Sequence, residues 1–204
     1  MAKFRRRPSP HAWYALRRTL PTWSFDANLK ELVEQLPRYR VDEVIIKVDT
    51  EEFTHGQPPL PWVRRYQKNL IRVREAMEEI GVVYSLNPWI TVGHNDRGRD
   101  ARKQIRGLQT VEGHDGTHCT CCACPMSEAW RQHVEKVWTL YAETEPHIVW
   151  VEDDIRTFNH QPVRYGCFCP AHMKRFSERV GEKVSRQDLV AAILKPGAPH
   201  RWRR

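Results

Sequence analysis

The segment 41-VDEVIIKVDT-50 is a short run of β-branched and apolar residues closed by an acid. Apolar almost without alternation, it suits a strand covered on both faces, as in a parallel sheet. The segments 81-GVVYSLNPW-89 and 147-HIVWVEDD-154 have the same character, and 11-HAWYALRR-18 is a weaker fourth. Between them lies helical spacing. Leu29, Leu32, Val33 and Leu36 recur on one face behind Ser24, a candidate cap. Val63, Tyr66, Leu70, Val73 and Met77 follow Pro61, a residue that suits a first helical turn. Trp130, Val134, Val137, Trp138 and Tyr141 form a third stripe, started by Ser127 and Glu128. A fourth helix is predicted at about 170–180, ending near Gly181, and a fifth short one after Ser185. Strand and helix alternate four times, which predicts βα units around a parallel sheet. These apolar stripes read as packing surface rather than a cofactor box. The connection from about 90 to 126 breaks the order: polar and rich in Gly, His and Cys, it reads as functional or disordered.

With 204 residues, 40% of them hydrophobic and eight of them Trp, the chain has the composition of a globular protein. One domain over 11–195 is expected, flanked by basic tails at 1–10 and 196–204. No apolar run reaches the roughly 18 residues of a membrane span, and MAKFRRRPSP lacks the apolar stretch that follows the positive start of a signal peptide. A soluble, cytoplasmic protein without membrane contact is expected. The formal charge of +8 invites a nucleic-acid reading. Its placement weakens that reading, because Arg5, Arg6, Arg7, Arg201, Arg203 and Arg204 all lie in the tails, which solvate more often than they recognise.

Each expected strand is followed by polar residues. Arg17 and Arg18 come after the first, and Asp49, Glu51 and Glu52 after the second. Asn87, Trp89, His94, Asn95 and Asp96 come after the third, and Glu152, Asp153 and Asp154 after the fourth. In a parallel α/β fold these strand ends share one rim, where ligands bind and chemistry is done. Carboxylates with nearby aromatics (Trp89, Phe53, Phe158) suit a sugar-like substrate, since acids protonate glycosidic oxygens and rings stack on pyranoses. Any one of these acids alone is more often a helix cap or an ion-pair partner than a catalytic group. Three in series are different, because alternation turns at least one of Glu152, Asp153 and Asp154 inward. A carboxylate there is paired or has a shifted pKa, which is what a general acid requires.

All six cysteines fall in two places, Cys119, Cys121, Cys122 and Cys124 in HCTCCACP and Cys167 and Cys169 in GCFCPAH. Clustered Cys beside His in a cytoplasmic chain points to metal, with zinc the natural occupant of a tetrahedral sulfur and nitrogen set. Cys167-x-Cys169-x-x-His172 supplies three ligands at the start of a helix. One more comes from the 119–124 loop, with Cys124 the candidate and its neighbours alternatives. Four protein ligands would make the site structural. Buried free thiols are the competing reading.

The residues WVEDDIRTFNH and RYGCFCPAHMKRFSERVG resemble the fourth strand and following loop of the bacterial β-galactosidases of glycoside hydrolase family 42 and related barrel hydrolases. About 35 residues match closely, and the βα order of the rest loosely. In that family the strand ends in Asn-Glu, the Glu being the acid/base. A Cys-x-Cys-x-x-Cys loop and a further Cys from the preceding connection then bind zinc. The resemblance places Asp153 at the Asn position, Asp154 at the Glu position, Cys167 and Cys169 at the two loop cysteines and His172 at the third ligand. Asp in place of Glu shortens the acid by one methylene.

The resemblance implies an α/β fold consisting of the first four βα units of a TIM-type (β/α)₈ barrel, an incomplete barrel, since the full fold takes about 250 residues. It implies a glycoside hydrolase-like function with Asp154 as acid/base and Asp153 beside it. Glu52, Asn87, Trp89, His94 and Glu152 are the expected substrate contacts. A retaining enzyme needs a second carboxylate about 5 Å away, which the family draws from its seventh strand. A homo-oligomer or a C-terminal half would supply it, and the four-strand chain alone is expected to be inactive. The alternative is a zinc-stabilised module that binds a polar or nucleic-acid ligand without chemistry.

Overall fold

The computed structural model describes residues 12–89, 91–93, 100–151, 155–157, 160–194, 196–197 and 202. They divide into two compact units, Met1–Thr91 with His133–Asp154 and Val92–Gln132 with Ile155–Arg204. This is a finer division than the single domain expected over 11–195.

The first unit is mixed α/β around a three-stranded parallel sheet in the order β1 (Ala15–Thr19), β2 (Glu43–Val48), β3 (Val83–Pro88). Between the strands run α1 (Phe25–Gln35), α2 (Thr50–Thr54) and α3 (Leu60–Ile80). Pro61 stands in the first turn of α3, where its missing N–H costs nothing, and Gly81 ends that helix at φ 75°. Val44, Ile46 and Val48 of β2 and Tyr84 and Leu86 of β3 form one core. It is completed by Leu29 and Leu32 of α1, by Val63, Leu70, Val73 and Met77 of α3, and by Val137 and Tyr141 of α5 (Glu128–Ala142). Each fully buried aliphatic side chain of this kind contributes about 2 kcal/mol. Strand β2 was expected to be covered on both faces. Its helices cover one, so Ile45 and Lys47 on the other are half-buried while Val44, Ile46 and Val48 are fully enclosed.

The fourth expected strand is present as a single parallel bridge, Leu86 to Val149, on the edge of β3 that β2 leaves free. Backbone bonds from Leu86 N–H to the Ile148 carbonyl (2.9 Å) and from Trp150 N–H to the Leu86 carbonyl (2.7 Å) hold it. Two side chains of β3 reinforce the contact. Ser85 Oγ accepts from Ile148 N–H at 3.2 Å, and Asn87 Nδ2 donates to the Trp150 carbonyl at 2.9 Å.

The second unit begins in the stretch read from sequence as a polar connection. After α4 (Ala101–Gln104) it contains an antiparallel hairpin of β4 (Thr110–Glu112) and β5 (His118–Ala123). Its turn closes with Gly113 N–H on the Thr117 carbonyl (2.6 Å) and with Asp115 Oδ1 accepting from Thr117 N–H (3.0 Å). Cys119, Cys121 and Cys122 pack with Val92, Val111 and Val163, so the thiols serve as small apolar side chains. The unit ends in α6 (Pro170–Val180) and α7 (Arg186–Leu194). As expected, Gly181 at φ 75° stops α6, and Ser185 Oγ accepts from Asp188 N–H at 3.1 Å to start α7. Phe168, Val184 and Leu189 form a small core there with Phe176 and Trp202.

Candidate metal centre

Four ligand atoms converge in the second unit, the Sγ atoms of Cys124, Cys167 and Cys169 and a ring nitrogen of His172, all within 4.8 Å of one another. Three local structures bring them together. Cys124 directly follows β5, with its N–H bonded to the Gln109 carbonyl at 2.9 Å. Cys167 lies beside β4, where Gly166 bridges Gly113 and Phe168 N–H donates to the Glu112 carbonyl at 2.9 Å. Cys169 is the N-cap of α6, with Pro170 at the first helical position, and His172 stands in the first turn. The two-residue step from Cys167 to Cys169 and the three-residue step on to His172 therefore use the corner at the helix start to bring the side chains together.

The separations fit an ion. Cys124 Sγ is 3.8 Å from Cys167 Sγ, 3.7 Å from Cys169 Sγ and 3.6 Å from His172 Nδ1. A tetrahedron with metal–sulfur bonds of about 2.3 Å has sulfur–sulfur edges of about 3.8 Å, and slightly shorter sulfur–nitrogen edges. Cys169 Sγ to His172 Nδ1, at 3.2 Å, is the tighter edge. None of the thiols is in a disulfide. The hydrogen bond shared with the Cys124 thiol draws the Cys167 pKa well below the ordinary cysteine value against the opposing effect of burial, with His172 and the Glu112 N–H also helping. The same bond, followed by burial, pushes Cys124 up, and burial pushes up Cys169. The opposed shifts show that the three thiols interact strongly with one another, as sulfurs gathered around one point do. Cys124 is the member of 119–124 that joins the cluster. Cys119 instead donates to the His160 carbonyl at 3.0 Å, and Cys121 and Cys122 belong to the apolar cluster.

The acids expected to do chemistry, Asp153 and Asp154, lie outside the described residues, as do Glu152, His94 and Phe158. Glu52 is exposed on α2, its N–H bound by Asp49 Oδ1 at 3.3 Å. Asp49 caps that helix and pairs with Lys47 at 2.7 Å, so this rim acid is engaged in structure. Asn87 is bonded to the Trp150 carbonyl. Trp89, just past β3, carries Arg17 at 4.7 Å and Lys47 at 4.0 Å from its ring centre. Arg17 and Arg18 lie inside β1 rather than after it, because β1 pairs with β2 in the register Arg17 to Ile45 and Arg18 to Ile46. The Glu112 N–H, 3.4 Å from Cys167 Sγ, is a site contact that no residue-type pattern announces. The turn signal HDGT at 114–117 was the available clue to the hairpin that supplies it.

Compared with protein-family models, with curated proteins and with solved structures, the chain has no significant match in any of the three. No helix among the described residues is long and apolar enough to cross a membrane.

Proposed function

We propose that the chain is a glycoside hydrolase-like protein acting on a carbohydrate by carboxylate acid/base chemistry, with zinc fixing the loop that follows its acid-bearing strand. The observation that carries the metal part is the set of near-tetrahedral edges among Cys124, Cys167, Cys169 and His172. Three thiolates and one imidazole suit zinc, and four protein ligands leave no position for water, so the ion's role is structural.

The catalytic part is supported by strand order. β1, β2 and β3 are neighbours in sequence order, and 148–150 joins the free edge of β3. That is the order of the first four strands of a TIM-type (β/α)₈ barrel, whose catalytic groups follow the C-terminal ends of the strands. In sequence, Glu152, Asp153 and Asp154 follow this fourth segment directly. In this reading Asp154 protonates the glycosidic oxygen, Asp153 stands beside it and Trp89 contacts the sugar. The second carboxylate comes from another copy or from further βα units.

Hydrolysis of p-nitrophenyl glycosides tests it. Asp154→Asn is expected to lower kcat/KM by roughly 10²–10⁴-fold with glycoside binding by calorimetry unchanged, and undiminished turnover removes the acid assignment. Arg17 and Lys47 against Trp89 favour a second reading, a zinc-stabilised module that binds an anionic ligand without chemistry. Binding by the wild type that is abolished by moderate salt, with no turnover, would select it.

A further inference from the structure

Helix α3 carries two stripes. Val63, Tyr66, Leu70, Val73 and Met77 face the core, and Tyr66 also borders the second stripe. Trp62, Arg65, Tyr66 and Asn69, at spacings of three and four, line one side of an open cleft of about 410 Å³ with Thr22. That volume lies within the roughly 300–1,000 Å³ of small-molecule sites.

The floor of the cleft is aromatic and held rigid. Trp62 stacks on Tyr66 with ring centres 4.9 Å apart and planes 15° apart. Tyr66 is itself buried, and its hydroxyl donates to the Leu20 carbonyl at 2.8 Å, so it is a fixed support beneath Trp62. Phe53 lies 5.9 Å from Trp62, and Trp23 meets Phe53 edge-on at 5.7 Å while remaining 71% exposed. Trp23, Phe53 and Trp62 thus form a linked run of rings, and a contiguous apolar surface, unlike a single exposed ring, marks an interaction site. The rim is polar and uncommitted. Among the described residues, no hydrogen bond or ion pair engages the side chains of Thr22, Arg65 or Asn69.

An aromatic floor with a hydroxyl, an amide and a guanidinium open to solvent around it suits a ligand with apolar faces and a hydrogen-bonding edge. Pyranose rings have that form. A planar base fits less well, because Phe53 tilts 40° from Trp62 and the two do not make a parallel slot. We infer that Trp62, with Trp23 and Phe53 beside it, is a sugar-binding platform, and that Thr22, Arg65 and Asn69 hold the hydroxyls of one pyranose unit of an oligosaccharide. The site shares its ligand class with the proposed function but none of its acids.

The zinc-loaded full chain is titrated with cellohexaose, β-1,4-galactotetraose and α-1,4-oligogalacturonate, using saturation-transfer NMR and calorimetry. At least one is expected to bind. Arg65→Ala and Asn69→Ala, with polar rim side chains that the fold does not use, should each weaken it about tenfold, and Trp62→Ala should abolish it. Asp154→Asn should leave this binding unchanged, which separates the platform from the acid assignment. Absence of binding by all three sugars, tighter binding of AMP than of any sugar, or unchanged affinity in both Arg65→Ala and Asn69→Ala would each overturn the inference.

Discussion

The backbone N–H of Glu112 points at Cys167 Sγ across 3.4 Å. A hairpin strand therefore feeds a hydrogen bond to one ligand sulfur, while the strand paired with it leads into a second ligand, Cys124. Such outer contacts fix a thiolate's direction and stabilise its charge before any ion arrives.

One zinc ion per chain is the first expected result, read by native mass spectrometry. Removing it with a strong chelator should lower Tm on the order of 10 °C, since losing a structural ion costs several kcal/mol and each kcal/mol is worth about 2–4 °C at this size. Because the ligands bind as thiolates and neutral imidazole, acidification should release the ion. A protein that shows no bound zinc and no change with chelator rules the centre out.

Gly93 occupies a position no other residue fits. Its φ is +92°, and a β-carbon there would sit 2.6 Å from the Cys121 carbonyl oxygen. Gly93→Ala should cost about 2 kcal/mol, visible as a lower midpoint in urea. An unchanged midpoint would mean that the β5 backbone yields freely.

Asn87 ties the fourth segment to β3 through the Trp150 carbonyl. Asn87→Ala should therefore lower stability by about 1 kcal/mol and speed amide exchange at Trp150, whatever its effect on substrate. If exchange there is unaltered, the bond does not hold the segment.

His133 supplies a pH dependence. Burial, followed by Lys136 among the lowering causes, holds its pKa below the ordinary histidine value, and the Pro58 carbonyl offsets only part of this. The unfolded chain then takes up the proton first as pH falls. Stability is full above the ordinary histidine value and declines as pH drops through it towards the lower folded value. His133→Gln should flatten that part of the curve between about pH 7.5 and 5.5. Identical slopes in the two proteins would exclude the residue as a source.

Much of the first unit was legible because its signals are periodic. The stripe Val63 to Met77 is core, and 41–50 contains the central strand; in the second unit Gly181 ends α6. The ligand set was equally legible, since Cys167, Cys169 and His172 sit at spacings that a helix start makes convergent. What hid was chemistry with two uses. Cys119, Cys121 and Cys122 look like ligands yet pack as apolar groups, which concealed β5. Asp49 looks like a rim acid yet caps α2. Arg17 and Arg18 look like loop yet are held in β1 by backbone bonds indifferent to side-chain charge.

The separation in sequence of Cys124 and Cys167, 43 positions, has a further consequence. An ion gripping both closes the chain into a ring containing α5 and the 148–150 segment. By analogy with a disulfide, such closure removes about 4 kcal/mol of freedom from the unfolded chain. A protease that nicks inside the ring would leave both fragments on one ion, and they would part only when it is stripped away.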